Sequence, residues 1–267
     1  MVDSDKTGGG PDGLRVELKR RLNLRELGGL PAADGKRIKP GHLYRSGELT
    51  DLSEEEFRLL ESLGLAFICD LRTADKGVEV PTPRIGETPY VQLPVFGGNF
   101  SSSEIPKLLG QMAAGGKLED PLPGIYRQFV TDEHTRGAYA RLVRALLEAE
   151  GRPVLWHCTV GKDRTGFAAA VVLLALGASE ETIAADYMAT EGSRAEATER
   201  ILAQVGAVLP DERVLGFVRS VLGVSLDYIR SALDEMRSAY GSTDGYLEQG
   251  LGVTEQERML LRERYLE

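Results

Sequence analysis

RPVLWHCTVGKDRTGFAAAVVLLAL, residues 152–176, reads as a strand, a tight loop and a helix in immediate succession. RPVLWHC is a short apolar strand, Gly161 permits a sharp turn, and the residues from Arg164 to Leu176 form a strongly apolar helical stretch. In open α/β sheets ligands bind at the carboxyl ends of the strands, where such a strand-to-helix loop lies. Cys158 ends the strand, five residues make the loop and Arg164 opens the helix. That spacing can turn the amides from Thr159 to Arg164 inward, as an anion-binding nest at the positive end of a helix. A dianionic phosphoryl group fits the cradle.

The same cradle favours the thiolate of Cys158, the form that acts as a nucleophile. Arg164 can hold two phosphoryl oxygens through its planar fork, which lysine cannot do. Phosphoryl transfer depends mostly on positioning and charge stabilisation, and this loop supplies both. The expected course is in-line attack by sulfur on phosphorus, a phosphocysteine, and hydrolysis. Thr159, Val160, Gly161, Lys162 and Thr165 are the expected substrate-binding positions, with Thr165 placed to hydrogen-bond the sulfur. Asp163 is the preferred general acid because the loop fixes it, ahead of Glu104, Glu119 and Asp120 on the 97–121 connection. Lys162 adds a positive charge at the mouth and so favours substrates with more than one phosphate. Cys-x5-Arg alone is a common chance match. The specific signal is the larger set: His before Cys, Gly at the third loop position, Lys-Asp before Arg and Thr-Gly after it.

Outward from the loop, Ser53 with Glu56 forms a capping-box signature for a helix closed by Gly64. LAFICDLR, residues 65–72, reads as a buried strand of a parallel sheet, and PYVQLPV, residues 89–95, as another. Residues 136–149 carry helical periodicity, and helices are expected over 180–190, 194–205, 211–222, 225–240 and 254–266. Residues 1–13, rich in Gly and Asp, read as a disordered tail. Residues 14–46 read as short extended pieces, residues 97–121 as a long mobile connection, and residues 14–267 as a single domain. The pattern predicts an α/β fold with a small, mostly parallel central sheet flanked by helices and a helical C-terminal part.

The net charge of −9 over 267 residues argues against nucleic-acid binding, which needs a basic footprint. No signal peptide is visible. The longest apolar run, from Phe167 to Leu176, is too short to span a bilayer. No stable membrane insertion is expected, and a reducing cytoplasm is the simplest location for a chain with two cysteines. Cys69 reads as a buried apolar residue, with a resolving partner for Cys158 as the alternative. His157 reads as an orienting group, and His42 and His134 as surface residues. Nothing suggests a metal cluster or a cofactor. Asp70 and Arg72, at the end of a strand expected beside the loop, are members of a structural ion pair or substrate contacts.

HCTVGKDRTG resembles the loop of the bacterial tyrosine-phosphatase family typified by mycobacterial protein tyrosine phosphatase B. NLRELGGL is similar to the family's N-terminal motif, with Leu24 for Phe and Glu26 for Asp. GHLYRSGEL, CDLRT, RPVLWHC, ADYMATEG and YGSTDGYLEQGLGVTEQER are similar as well, so the resemblance covers about residues 14–267. It implies a dual-specificity phosphatase-like fold, with Cys158, Asp163 and Arg164 as catalytic residues. It further implies phosphotyrosine, phosphoserine/threonine or phosphoinositide substrates, and a helical lid over the pocket for which residues 194–222 are the candidate. Lys76 stands where the family often has Glu, glycines replace an acidic residue after LPVF, and Val160 is bulkier than the usual Ala. The partners expected are phosphorylated proteins, phosphoinositides or small phosphate esters. A phosphate-binding module without turnover is opposed by the joint presence of Cys158, Asp163 and Arg164. A sulfur-transfer or thiol-redox enzyme is opposed by the loop length and the absence of Cys-x-x-Cys.

Overall fold

The computed structural model describes residues 11–73, 82–96 and 120–267, with residues 11–16 as backbone alone. The described residues contain a five-stranded sheet in the order β1-β2-β5-β3-β4. Its centre is β5 (Val154–His157), the strand that feeds the loop, and every residue of it is buried. β2 (Leu43–Ser46) and β3 (Phe67–Asp70) flank it in parallel, and β4 (Tyr90–Gln92) continues in parallel beyond β3. β1 (Arg25–Glu26) closes the other edge in antiparallel register. A central parallel strand is covered on both faces, which is why VLWH has no exposed polar alternation.

The helix after the loop, α5 (Asp163–Ala175), is buried at all thirteen positions. A helix apolar on every side needs cover all round. That cover comes in part from α3 (Leu122–Thr131), α4 (Glu133–Glu148) and α9 (Leu226–Tyr240), whose buried side chains join one core cluster with Phe129, Tyr139 and Phe167. A second cluster joins Leu155 and Ile68 of the sheet to Leu18, Leu22 and Leu60. These leucines lie on α1 (Pro11–Leu22) and α2 (Glu54–Ser62). The capping box forms as read. Ser53 Oγ accepts from the Glu56 amide at 3.2 Å, and Glu56 accepts from the Ser53 amide at 2.7 Å.

α6 (Glu180–Met188), α7 (Thr190–Val208) and α8 (Glu212–Leu222) follow the core helix, and α10 (Glu255–Tyr265) ends the chain. α7 and α8 share their own apolar cluster of Leu202, Val214, Phe217, Val218 and Val221.

The N-terminal reading is corrected. Residues 11–22 are helix rather than tail and extended pieces. Leu18 and Leu22, one turn apart, bury a common face. Asn23 then adopts φ +54 and ends the helix. Residues 1–10 and 97–119, the latter most of the expected mobile connection with Glu104 and Glu119, lie outside the described residues, as does Lys76.

Candidate active site

Cys158 lies at the carboxyl end of the central strand, 3% exposed. The Gly161 amide donates to its Sγ at 3.3 Å, so at least one loop amide faces the sulfur. Gly161 has φ +73, a conformation most side chains avoid. A Cβ there would also lie 2.5 Å from the Gly47 nitrogen. Two separate demands, torsion and space, therefore select glycine. Arg164 is 1% exposed. It donates to Thr159 Oγ1 at 3.0 Å and to the Leu71 carbonyl at 3.4 Å. The guanidinium is thus held beneath the loop before any substrate arrives.

The loop is braced from behind by residues that sequence reading assigned no role. The Gly161 carbonyl accepts from Asn23 Nδ2 at 2.8 Å and from Arg45 Nη2 at 3.0 Å. Arg45 pairs with Asp186 Oδ2 in full burial. Arg25 reaches the other Asp186 oxygen at 3.1 Å and Thr190 Oγ1 at 3.1 Å. Burial, with the charge of Arg45, pushes the Arg25 guanidinium down to about 10, against the pull of Asp186. Asn23 and Arg25 come from NLRELGGL, Arg45 from GHLYRSGEL and Asp186 from ADYMATEG. A polar residue amid apolar neighbours was the available signal, but its partners lie too far along the chain for periodicity to pair them.

Asp163 is buried, and its Oδ1 accepts from the Tyr126 hydroxyl at 2.9 Å. Oδ2 has no hydrogen-bond partner among the described residues. Tyr126 also hydrogen-bonds the Tyr187 hydroxyl at 2.6 Å. Burial holds both phenols well above their ordinary range, so they stay protonated and orient the carboxyl group.

Two expectations within the loop change. Lys162 is not a free cation at the mouth. It is 3% exposed and donates to the carbonyls of Val221 and Gly223 at 2.6 and 2.8 Å. Those carbonyls end α8, where the last turn lacks intrahelical donors and carries the negative end of the dipole. Its ammonium also stands 5.8 Å from the Tyr228 ring centroid. Thr165 does not donate to the sulfur, since its hydroxyl donates to the Ser46 carbonyl at 3.4 Å. Val160 and Thr159 are half-buried and line a cleft of about 870 Å³ with Glu48, Asp51 and Arg194.

Asp70 and Arg72 form a buried pair, with Arg72 Nη2 2.8 Å from Asp70 Oδ2 and the Arg72 amide 2.9 Å from Oδ1. Burial works to raise the Asp70 pKa, but the Arg72 hydrogen bonds and the nearby His157 outweigh it and leave Asp70 below the usual carboxylate range. His157 is fully buried, with Nε2 3.8 Å from Asp70 Oδ2 and Nδ1 3.3 Å from the Cys158 carbonyl. Burial pushes its pKa down from 6.5 to about 4. The unfolded chain therefore binds this proton more readily than the folded one between those values, and stability falls as pH drops through the window. The loss should reach about 3 kcal/mol near pH 4. Urea unfolding at pH 7, 5 and 4 checks it, and a His157→Gln chain should show a shallower acid slope than wild type. Equal slopes in the two proteins would remove His157 as the cause.

Cys69 is wholly buried in the core and its thiol is pushed up to about 12, mainly by burial. In the parallel register it stands opposite Trp156, two residues before Cys158. One strand spacing and two residues of rise separate such positions by about 8 Å, beyond the usual Cα span of a disulfide. Both cysteines are free. His134 is exposed and His42 half-buried. No group of three or more metal-ligating side chains occurs among the described residues.

The family model for the tyrosine phosphatase family matches residues 16–267. The triple specificity protein phosphatase PtpB of Mycobacterium tuberculosis is 32% identical over 265 residues, covering 86% of this chain and 92% of its own. A Cupriavidus necator protein named as a tyrosine-protein phosphatase is 30% identical, covering 86% of this chain and 82% of its own. A tyrosine-protein phosphatase of Nostoc commune is 27% identical, covering 88% and 77%. With a match of this extent, and with a cysteine and an arginine gathered in one loop at the end of the central strand, the chain belongs to the tyrosine phosphatase family and is a hydrolase of the protein-tyrosine-phosphatase type.

Proposed function

We propose that the chain hydrolyses phosphomonoesters of proteins through a phosphocysteine on Cys158. The observation that carries this reading is the loop itself. The Gly161 amide meets Sγ at 3.3 Å while Arg164 is already held by Thr159 and Leu71. In the first step the Cys158 sulfur attacks phosphorus in line. The P–S bond forms as the ester P–O bond breaks, and Asp163 gives its proton to the leaving oxygen. In the second step Asp163 takes a proton from water as the water oxygen attacks phosphorus. The P–S bond breaks, orthophosphate leaves and the thiolate returns. Tyr126 fixes Asp163 at Oδ1, so Oδ2 is the oxygen that carries the proton. Thr159, Val160 and Gly161 contribute loop backbone to the anion, and Arg164 binds two of its oxygens.

The relatives' names include tyrosine-protein phosphatase and triple specificity protein phosphatase, which supports phosphorylated side chains as substrates, tyrosine among them. The carboxylates Glu48, Asp51 and Glu55 in the cleft beside the loop disfavour a polyanionic headgroup there, and Lys162 is engaged with α8. Phosphoinositides and small phosphorylated metabolites are therefore the lesser reading. The α7–α8 pair, tied to the loop through Lys162, serves as the lid. No helix among the described residues is long and apolar enough to cross a membrane, and two free thiols suit a reducing cytoplasm.

The test is acid quenching during turnover of an aryl phosphate in chelator-treated buffer, followed by mass mapping. A phosphoryl adduct on Cys158 is expected. An adduct on another residue, or turnover that requires added metal, would sink the reading. Asp163→Asn should slow esters with poor leaving groups much more than activated aryl esters. Equal slowing of both would remove Asp163 as the acid.

A further inference from the structure

Arg194 lines the cleft beside the loop, and this chemistry leaves it unassigned. It stands on α7, one turn after Thr190. Thr190 is fully buried and accepts from Arg25, so that face of the helix is fixed against the braced end of the loop. Residues four apart share a helical face, and Arg194 accordingly lines the same cleft as Thr159 and Val160. Its Nε is shielded from solvent and has no hydrogen-bond partner. No carboxylate of the cleft takes it as an ion-pair partner among the described residues.

The Nε of Arg45 is unpartnered as well, but the other buried arginines of the site each hold an acceptor within the chain. Arg25 and Arg45 share Asp186, Arg72 holds Asp70, and Arg164 is held by Thr159 and Leu71. A part-buried guanidinium without a carboxylate partner among the described residues is unfavourable, so the arrangement calls for an anion from outside the chain. Burial lowers the Arg194 pKa, while the charges of Cys158 and Asp163 work to raise it. Those two groups are the nucleophile and the acid of the proposed chemistry.

We propose that Arg194 is a substrate-binding residue, which donates from the α7–α8 pair to the oxygens of the phosphoryl group seated on the Cys158–Arg164 loop. The inference rests on the phosphatase reading and deepens it: the loop supplies one guanidinium and the lid a second. Two planar forks can then share the charge of one dianion. A substrate that holds the lid closed would be recognised by its phosphate rather than only by the groups around it.

The experiment uses inorganic phosphate as the probe, measured as a competitive inhibitor of aryl phosphate hydrolysis by the full chain. Arg194→Ala should weaken phosphate inhibition and raise KM by roughly 10- to 100-fold, with Arg194→Lys recovering part of the loss. Alkylation of Cys158 by neutral iodoacetamide reads the lid independently and should be no faster in Arg194→Ala, since loss of a nearby positive charge disfavours the thiolate. Phosphate inhibition within twofold of wild type in Arg194→Ala overturns the proposal. So does equal weakening in the Ala and Lys chains accompanied by faster alkylation, because the residue would then only hold the lid in place. If wild type neither releases phosphate nor is protected from alkylation by it, the phosphatase reading itself fails and the inference falls with it. An active wild type with an unaffected Arg194→Ala chain fails the inference alone.

Discussion

Cys158→Ser is expected to slow phosphate release from an aryl phosphate by about 10^4-fold or more, while the protein remains folded. The side chains are nearly the same size, and Sγ makes its contact with the Gly161 amide at 3.3 Å, which a hydroxyl oxygen can also accept. What changes is the nucleophile. A serine hydroxyl is essentially un-ionised at neutral pH, and among the described residues no base stands ready to take its proton. His157, the adjacent imidazole, is turned toward Asp70 and the Cys158 carbonyl rather than toward the sulfur. Steady-state rates with chelator present, beside a thermal melt of each protein, make the measurement. A serine chain within tenfold of wild type, at equal stability, would mean that Cys158 is not the nucleophile.

The second large effect is expected from Arg164→Lys, at about 10^3-fold in kcat/KM. Charge is conserved in this substitution, so a role based on positive charge alone predicts little loss. The fork is not conserved. Arg164 uses one nitrogen on Thr159 and another on Leu71, and these fix the plane in which its remaining donors meet a phosphoryl group. An ammonium on a flexible stem keeps neither the plane nor the paired contacts. Parallel determination of KM and kcat separates the contributions. A fall in kcat as well as a rise in KM is expected, because the equatorial oxygens gain charge in the transition state. A lysine chain within tenfold of wild type would refute the fork.

The central stretch of this site was legible because its instructions are local. The apolar run VLWH, the glycine at 161 and the apolar helix after Arg164 each declare themselves within a few residues, and the loop that joins them is contiguous. The capping box at Ser53 was readable for the same reason. Helix α3 is hidden in the sequence, because it opens with Leu-Pro-Gly, which signals a turn. Proline is nonetheless accepted in the first turn of a helix, where its missing amide would have had no partner, and here it occupies that turn. Helix α1 was hidden by the glycine-rich residues before it. The orientation of Lys162 was out of reach for a different reason. Its ammonium answers to carbonyls 59 and 61 residues away, and no pattern around residue 162 encodes them. Asn23, Arg45 and Asp186 stand in stretches similar to the family, yet resemblance alone does not say what they touch.

The bracing of the Gly161 carbonyl has a consequence for the time at which the enzyme comes into being during synthesis. Its two donors lie 138 and 116 residues earlier in the chain, and the carboxylate that positions one of them lies 141 residues after that arginine. A growing chain that has just released residues 152–176 from the ribosome holds the nucleophile and its arginine, but Arg45 still lacks Asp186. Contacts of such separation close late in folding. Catalytic competence therefore belongs to the chain only after helix α6 has emerged and docked, and a nascent fragment that stops short of it carries a reactive-cysteine sequence without the assembled pocket.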